Sequence, residues 1–196
     1  MVSFQAKKWS VFRRKKQLWI PLGTDMTLNS VFHQLEESVK KYEIIVDTNN
    51  PPSEVLNRDI NIIIAHGPED ISSNNIFYSN KKPIIDIENI IGTGKLGILF
   101  VCYSGSMKQE IFSYSVASLV KKFIDKGYSA IIAPFWSLHI YIPPIWLPKF
   151  LECLKNGLSV SEATLKANQE VYQKYPHPAA WACLHLYGNP NLRYKN

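Results

Sequence analysis

A histidine and a cysteine each directly follow a strongly apolar segment of the chain. "INIIIA" at 60–65 is followed by His66 and Gly67, and "LGILFV" at 96–101 is followed by Cys102. If the two segments are neighbouring buried strands, they lie roughly 5 Å apart, and both side chains leave the sheet close together. An imidazole that accepts the proton of a thiol produces a nucleophilic thiolate. The pair therefore predicts a cysteine nucleophile, Cys102, served by a histidine base, His66.

Small residues surround this pair. Gly67 leaves room beside the histidine for a substrate to approach the backbone. Its amide, together with that of Cys102, can stabilise a developing oxyanion. Ser104 and Gly105 keep the space beside the thiol open.

A rival chemistry uses the same cysteine. "CYSGSMK" places Lys108 six positions after Cys102, where the C-x5-R loop of tyrosine phosphatases has an arginine. A lysine supplies only a point charge in place of the bidentate guanidinium fork. This alternative also leaves His66 without a role.

The remaining cysteines and histidines are weaker candidates. Cys183 and His185 are interpreted as a buried pair on one strand, and Cys153 as helix packing. His139 follows a strand by several residues and is a candidate for lining the site. His33 and His177 are interpreted as surface or loop residues.

Alternating apolar patterns predict the elements that must position these residues. We expect an α/β domain with a central, mostly parallel six-stranded sheet flanked by helices. The carboxyl ends of such strands are where ligands collect. The predicted strands are 17–22, 43–47, 60–65, 96–101, 129–133 and 181–186, with a hairpin near 76–87. The predicted helices are 25–41, a short one at 51–57, one containing Phe112 to Phe123, one from Pro144 to near Gly157, and one from Ser159 to about Lys174, opened by an S-x-x-E capping box.

Positive charge is concentrated at the start of the sequence. The net charge is +6, and residues 1–16 hold six cations and no acid, whereas residues 17–196 balance sixteen against sixteen. We interpret 1–16 as a basic arm or linker and 17–196 as one domain. Nucleic acid is expected as a partner only indirectly, through such an arm, if at all.

The three cysteines, Cys102, Cys153 and Cys183, lack metal-ligand spacing and are odd in number, which favours a reducing compartment. No signal peptide is recognised. The long apolar stretch 131–151 contains four prolines, so we expect no membrane span there. Together these features predict a cytoplasmic protein.

Several blocks, taken in order, resemble the CHAT proteases, which are caspase-like cysteine peptidases. The blocks are "IIIAHG", "LGILFVCYSG", "GYSAIIAPFWSLH", "GLSVSEATLKAN" and "WACLHLYGNPNLRY". The resemblance covers roughly 60–193 well and 17–59 loosely. It implies a caspase-like sandwich with strand order 2-1-3-4-5-6, and a role of the bacterial defence or signalling type.

The resemblance also implies an activity and a site. His66 resembles the catalytic histidine, Cys102 the nucleophile, and the amides of Gly67 and Cys102 the oxyanion hole. Peptide-bond hydrolysis of a protein or peptide substrate follows, with no metal or cofactor. Tyr103 departs from the small or polar residue that many relatives have there.

The regions that form the substrate pocket in caspase-like folds offer Asp25, Phe100 and Trp136 here. Asp25 is suited to a basic side chain, or alternatively caps the helix that follows it. Family members usually have a sensor, so a regulatory partner or a sensor domain beyond this chain is expected. The alternative from another class is a catalytically silent caspase-like module that binds partners.

Overall fold

A six-stranded sheet forms the centre of the protein. The computed structural model describes residues 15–66, 76–79, 82–86, 89–102, 108–109, 116–117 and 119–194, with backbone alone for the short strands at 76–86 and 108–117. The strands are β1 Lys16–Trp19, β2 Ile44–Asp47, β3 Ile60–Ile64, β4 Ile76–Ser79, β5 Lys82–Asp86, β6 Leu96–Phe100, β7 Lys108–Gln109, β8 Val116–Ala117, β9 Ala130–Pro134 and β10 Leu184–Gly188. The helices are α1 Met26–Lys41, α2 Leu119–Asp125, α3 Ile142–Lys155, α4 Val160–Lys174 and α5 Pro178–Trp181.

The sheet has the order β2-β1-β3-β6-β9-β10. Counted along the chain, its strands therefore run 2-1-3-4-5-6, which confirms the order that the resemblance implies. Every pairing is parallel except that of β10 with β9. β4–β5 and β7–β8 form two small antiparallel pairs, and the first of these confirms the predicted hairpin.

Helices and loops cover both faces of the sheet, which explains why the central strands are apolar throughout. All five residues of β3, β6 and β9 are buried. Side chains such as Ile62 and Ile98 pack with α1, α3 and α4 on one face. Their neighbours, such as Ile63 and Leu99, pack with α2 and the segment around Ile90 on the other face. Strands without a solvent-facing side lose polar alternation.

Local sequence signals set several helix ends as predicted. Asp25 caps α1, with its side chain accepting from the amide of Leu28. Ser159 and Glu162 form the predicted capping box of α4. Prolines lie in the first turn of α3, and Gly157 follows its end with φ 82°, a conformation that glycine adopts without strain.

Three predictions about elements were wrong. Residues 51–57 form bends and not a helix, because Leu56 is held in a bridge to Ile91. Helix α2 begins only at Leu119, since Val116 belongs to β8; Phe112 lies outside the described residues. The last strand begins at Leu184, because 178–181 form α5, and His185 on it is exposed.

Other side chains lie where the sequence placed them. Cys153 packs in the core, and His33 and His177 are exposed. Among the described residues, no helix combines the length and apolar character needed to cross a bilayer.

Candidate active site

The predicted pair lies at the carboxyl ends of two adjacent parallel strands. Ile64 of β3 is paired in register with Phe100 of β6, and His66 and Cys102 each follow two positions later. The amide of Ala65 still donates to Phe100 O at 3.4 Å, so the strands remain together almost to the two side chains. Cys102 is half-buried, and the His66 side chain is 40% exposed.

Asp25 lies directly against His66. Its Oδ2 is 2.9 Å from His66 Nε2, while its Oδ1 accepts a hydrogen bond from the amide of Leu28 at 3.0 Å. Asp25 is 3% exposed. β1 pairs with β3, so the turn after β1 delivers the carboxylate to the end where His66 leaves the sheet.

This contact determines the tautomer of the imidazole. A carboxylate accepts hydrogen bonds, so the ring proton of neutral His66 belongs on Nε2. Nδ1 then carries the lone pair that is available to accept a proton. The His66 ring is thus oriented by a buried acid and retains one basic nitrogen.

The loop after β9 surrounds the cysteine sulfur. The amide of Leu138 donates to Cys102 Sγ at 3.4 Å, and Ser137 Oγ lies 3.8 Å from the same sulfur. Within the described ranges, the hydrogen bonds of Cys102 Sγ are with Ser137 and Leu138. The hydrogen bond of the His66 ring is with Asp25. A backbone N–H at this position can donate to a thiolate as well as to a thiol, and hydrogen bonds to ionised acceptors are the stronger ones.

The same loop is anchored to the last part of the chain. The amide of Phe135 donates to Cys183 O at 3.0 Å, and Trp136 Nε1 donates to Ala179 O at 2.9 Å. His185 lies edge-on to the Trp136 ring at 5.7 Å. His139, one residue beyond Leu138, is exposed. The position of Leu138 beside the sulfur therefore depends on α5 and β10.

Burial changes the chemistry of the other two thiols, Cys153 and Cys183. Burial raises the pKa of Cys183 to about 12, with the nearby Cys102 contributing in the same direction, and its Sγ donates to Ala180 O at 3.0 Å. Burial also raises the pKa of Cys153. Both remain protonated thiols at neutral pH.

The remaining predicted site residues are placed as follows. Gly67 lies outside the described residues, so its part in an oxyanion hole stays a prediction. Phe100 is 3% exposed and packs edge-on against Trp146, with 5.9 Å between the ring centres. Trp136 is half-buried in the loop that reaches Cys102. No group of three or more His, Cys, Asp or Glu side chains in the described ranges is arranged to hold a metal.

Sequence reasoning missed two contacts. It chose Asp25 as a substrate contact or helix cap, although the expected order 2-1-3 already placed β1 beside β3 and could have suggested His66 as its partner. It also treated "PFWSLH" as a possible lining and missed the Leu138 amide, because a main-chain donor leaves no mark in the residue type.

No protein-family model matches the sequence, and comparison with curated proteins finds no relative. Solved structures do share its fold. A Saccharomyces cerevisiae separase–securin complex matches with a TM-score of 0.61 and 15% identity, over 94% of this chain and 13% of that one. The Arg-specific cysteine proteinase gingipain R matches with 0.58 and 14%, over 93% and 48%. A complex of the pro- and mature domains of Porphyromonas gingivalis RgpB matches with 0.57 and 14%, over 93% and 48%.

The chain has a caspase-like fold. It spans about an eighth of the length of the separase chain and about half of the gingipain chain. Its neighbours in structure are cysteine proteases at low sequence identity.

Proposed function

We propose that the chain is a cysteine peptidase in which Cys102 is the nucleophile and His66 the base. The observation that supports this most is the shared placement of the two side chains. Each follows a register-paired residue at the carboxyl ends of β3 and β6, and His66 is backed by a buried carboxylate. The fold, which is that of known cysteine proteases, is consistent with this assignment.

The proposed reaction begins with proton transfer from Cys102 Sγ to His66 Nδ1. The thiolate attacks the scissile carbonyl, and the C–N bond breaks as the imidazolium gives its proton to the leaving amine. Water then attacks the acyl-enzyme carbonyl while His66 accepts a proton from it. The C–S bond breaks, Cys102 Sγ takes the proton back from His66, and the carboxylic acid product leaves. No step requires a metal or an organic cofactor.

Asp25 is proposed to be a positioning residue in this reaction. Its carboxylate holds the Nε2–H tautomer and stabilises the imidazolium that forms when Nδ1 accepts a proton. The Leu138 amide has the complementary role at the sulfur, where it stabilises the thiolate. The amides of Gly67 and Cys102 are proposed to bind the oxyanion.

Substrate contacts are proposed at Phe100 and Trp136, and Asp25 is the alternative contact for a basic substrate side chain. Gingipain R is Arg-specific by name, so a basic side chain before the scissile bond is the first preference to test. Both Asp25 oxygens already accept or share hydrogen bonds, which favours its positioning role over direct binding of substrate. Phe100 is buried, so it would form the buried base of the substrate pocket.

At a finer level, we propose a peptidase of the CHAT type that acts on proteins in the cytoplasm. Its activity would be controlled by an attached sensor or a separate protein partner. Separase was solved in complex with securin, which shows that a protein of this fold can be bound by a protein partner.

A thiol-reactive peptide probe tests the proposed activity. We expect covalent labelling of Cys102, identified by mass spectrometry, that disappears in His66→Ala. Cys183→Ala is the matched control and should label normally, because this thiol is buried. Absence of labelling with a panel of basic, acidic and apolar probes would support the catalytically silent module instead. Cleavage of a peptide library would then define the preferred sequence.

A further inference from the structure

A cavity of about 320 Å³ lies at the amino ends of the strands. His66 and Cys102 lie at the opposite, carboxyl ends of the strands. The lining of the cavity includes Lys16 at the start of β1 and Ile60 at the start of β3. Lys41 and Lys155, from the ends of α1 and α3, supply two further ammonium groups. Its volume is in the range of small-molecule sites.

Lys16 is an unusual residue in this cavity. It is only 9% exposed, and its Nζ donates to Tyr42 O at 2.9 Å and lies 5.5 Å from the centre of the Tyr194 ring. Within the part of the chain that the structure describes, Lys16 forms no ion pair with a carboxylate. Buried ammonium groups are normally compensated by an anion, because burial without one is costly.

The cavity also has walls that suit an organic group. Tyr42 and Tyr194 line it together with the apolar side chains of Ile60, Leu151 and Leu154. Among its lining residues, Glu43 is the one acid against three lysines. The lining thus combines net positive charge with aromatic and aliphatic surface.

We propose that this cavity binds a small molecule that carries phosphate groups. Lysines bind phosphate as point charges, and three of them line this cavity. The described partners of the Lys16 ammonium are the Tyr42 carbonyl and the Tyr194 ring. A bound phosphate would supply the anion that compensates the buried charge. The tyrosine rings would contact the ring or apolar part of the ligand.

This site is independent of the peptidase assignment. It lies at the other end of β1 and β3 and uses none of the residues proposed for catalysis. Binding can therefore be measured in a chain whose Cys102 is replaced, and the outcome does not depend on whether peptides are cleaved.

Calorimetric titration of the full chain with inorganic pyrophosphate and with ADP tests the proposal. Sulfate at the same ionic strength is the reference anion. We expect pyrophosphate to bind roughly tenfold more tightly than sulfate, and ADP at least as tightly as pyrophosphate. Equal affinity of all three would overturn the proposal.

Variants locate the binding. Lys16→Met removes the buried charge at similar length, and Lys41→Gln removes the charge of an exposed residue at the end of α1. Each should weaken pyrophosphate binding by roughly tenfold. Lys126→Gln is the matched control, because Lys126 lines a separate cavity near Lys95. Unchanged binding in both cavity variants, or an equal loss in the control, would place the anion elsewhere and refute the site.

Discussion

Asp25 accepts hydrogen bonds with both carboxylate oxygens, one from a helix amide and one from the His66 ring. This double use distinguishes it from an ordinary helix cap. An asparagine at the same position keeps the oxygen that caps α1 but presents an NH₂ group to His66. The ring would then carry its proton on Nδ1, the nitrogen needed as the base.

Asp25→Asn should therefore lower kcat by on the order of 10²-fold, while leaving thermal stability nearly unchanged. The loss should be the same for Lys, Arg, Asp and Leu reporter peptides, since the variant disturbs the base and not the substrate pocket. A selective loss on Lys and Arg reporters would instead support a substrate contact. ¹⁵N NMR of the His66 ring would report the tautomer directly.

The three thiols should differ in reactivity. Cys102 is half-buried and accepts a hydrogen bond from the Leu138 amide, whereas burial raises the pKa of both Cys153 and Cys183. Limited treatment with iodoacetamide at pH 7.5 should alkylate Cys102 at least roughly tenfold faster than the other two. Peptide mapping by mass spectrometry measures the three rates. Alkylation of Cys183 at the same rate would contradict the described burial.

At the scale of elements, the turn after β2 depends on one carboxylate. Burial of Asp47 alone would raise its pKa, but hydrogen bonds from Asn49 and Ser53 outweigh that effect and leave it lowered. A folded pKa below the unfolded value means that the ionised form stabilises the protein above about pH 4. This stability is lost as the pH falls through the folded pKa.

Asp47→Asn should cost about 1–3 kcal/mol of unfolding free energy at pH 7, because donors at Asn49 and Ser53 lose their charged acceptor. The difference from the parent should shrink at pH 3, where the carboxylate of the unfolded chain is protonated. Urea unfolding at both pH values measures it. A constant difference would show that the charge is not the cause.

Elements could be predicted from the sequence where their signals are local. Ser159 and Glu162 define the start of α4 within four residues, and the prolines define the start of α3. The predicted helix at 51–57 failed because a distant residue, Ile91, pairs with Leu56. The residue types of 51–57 favour a helix, but the tertiary contact with Ile91 holds the segment in bends.

At the scale of the molecule, the sheet order and the position of the His–Cys pair could be predicted, because parallel apolar strands align their ends. The segregation of charge could not. Cations and acids balance over residues 17–196, and Lys16 belongs to the basic segment 1–16 that precedes them. The fold nevertheless gathers Lys16, Lys41 and Lys155 around one cavity. These three lysines are far apart in the sequence, so the cluster cannot be recognised there. It forms only when α1 and α3 pack against the sheet.

The central strands should also be the most stable part of the molecule. β3, β6 and β9 are buried along their whole length and have a partner strand on each side. Their amides should exchange with solvent only through global unfolding, and those of the edge strand β2 sooner. Native-state hydrogen exchange followed by NMR measures this order. Faster exchange in β6 than in β2 would contradict it.

Because its position is fixed, Trp136 can serve as a fluorescent reporter of the site around Cys102. Its indole N–H is held by Ala179 O, and the next two residues contact the Cys102 sulfur. Trp19 and Trp146 are fully buried, so their emission is shielded from solvent. A peptide or inhibitor that displaces residues 137–138 would change the surroundings of the Trp136 indole. Intrinsic fluorescence, with Trp136→Phe as the blank, can therefore follow occupancy of the cysteine in real time without any attached dye.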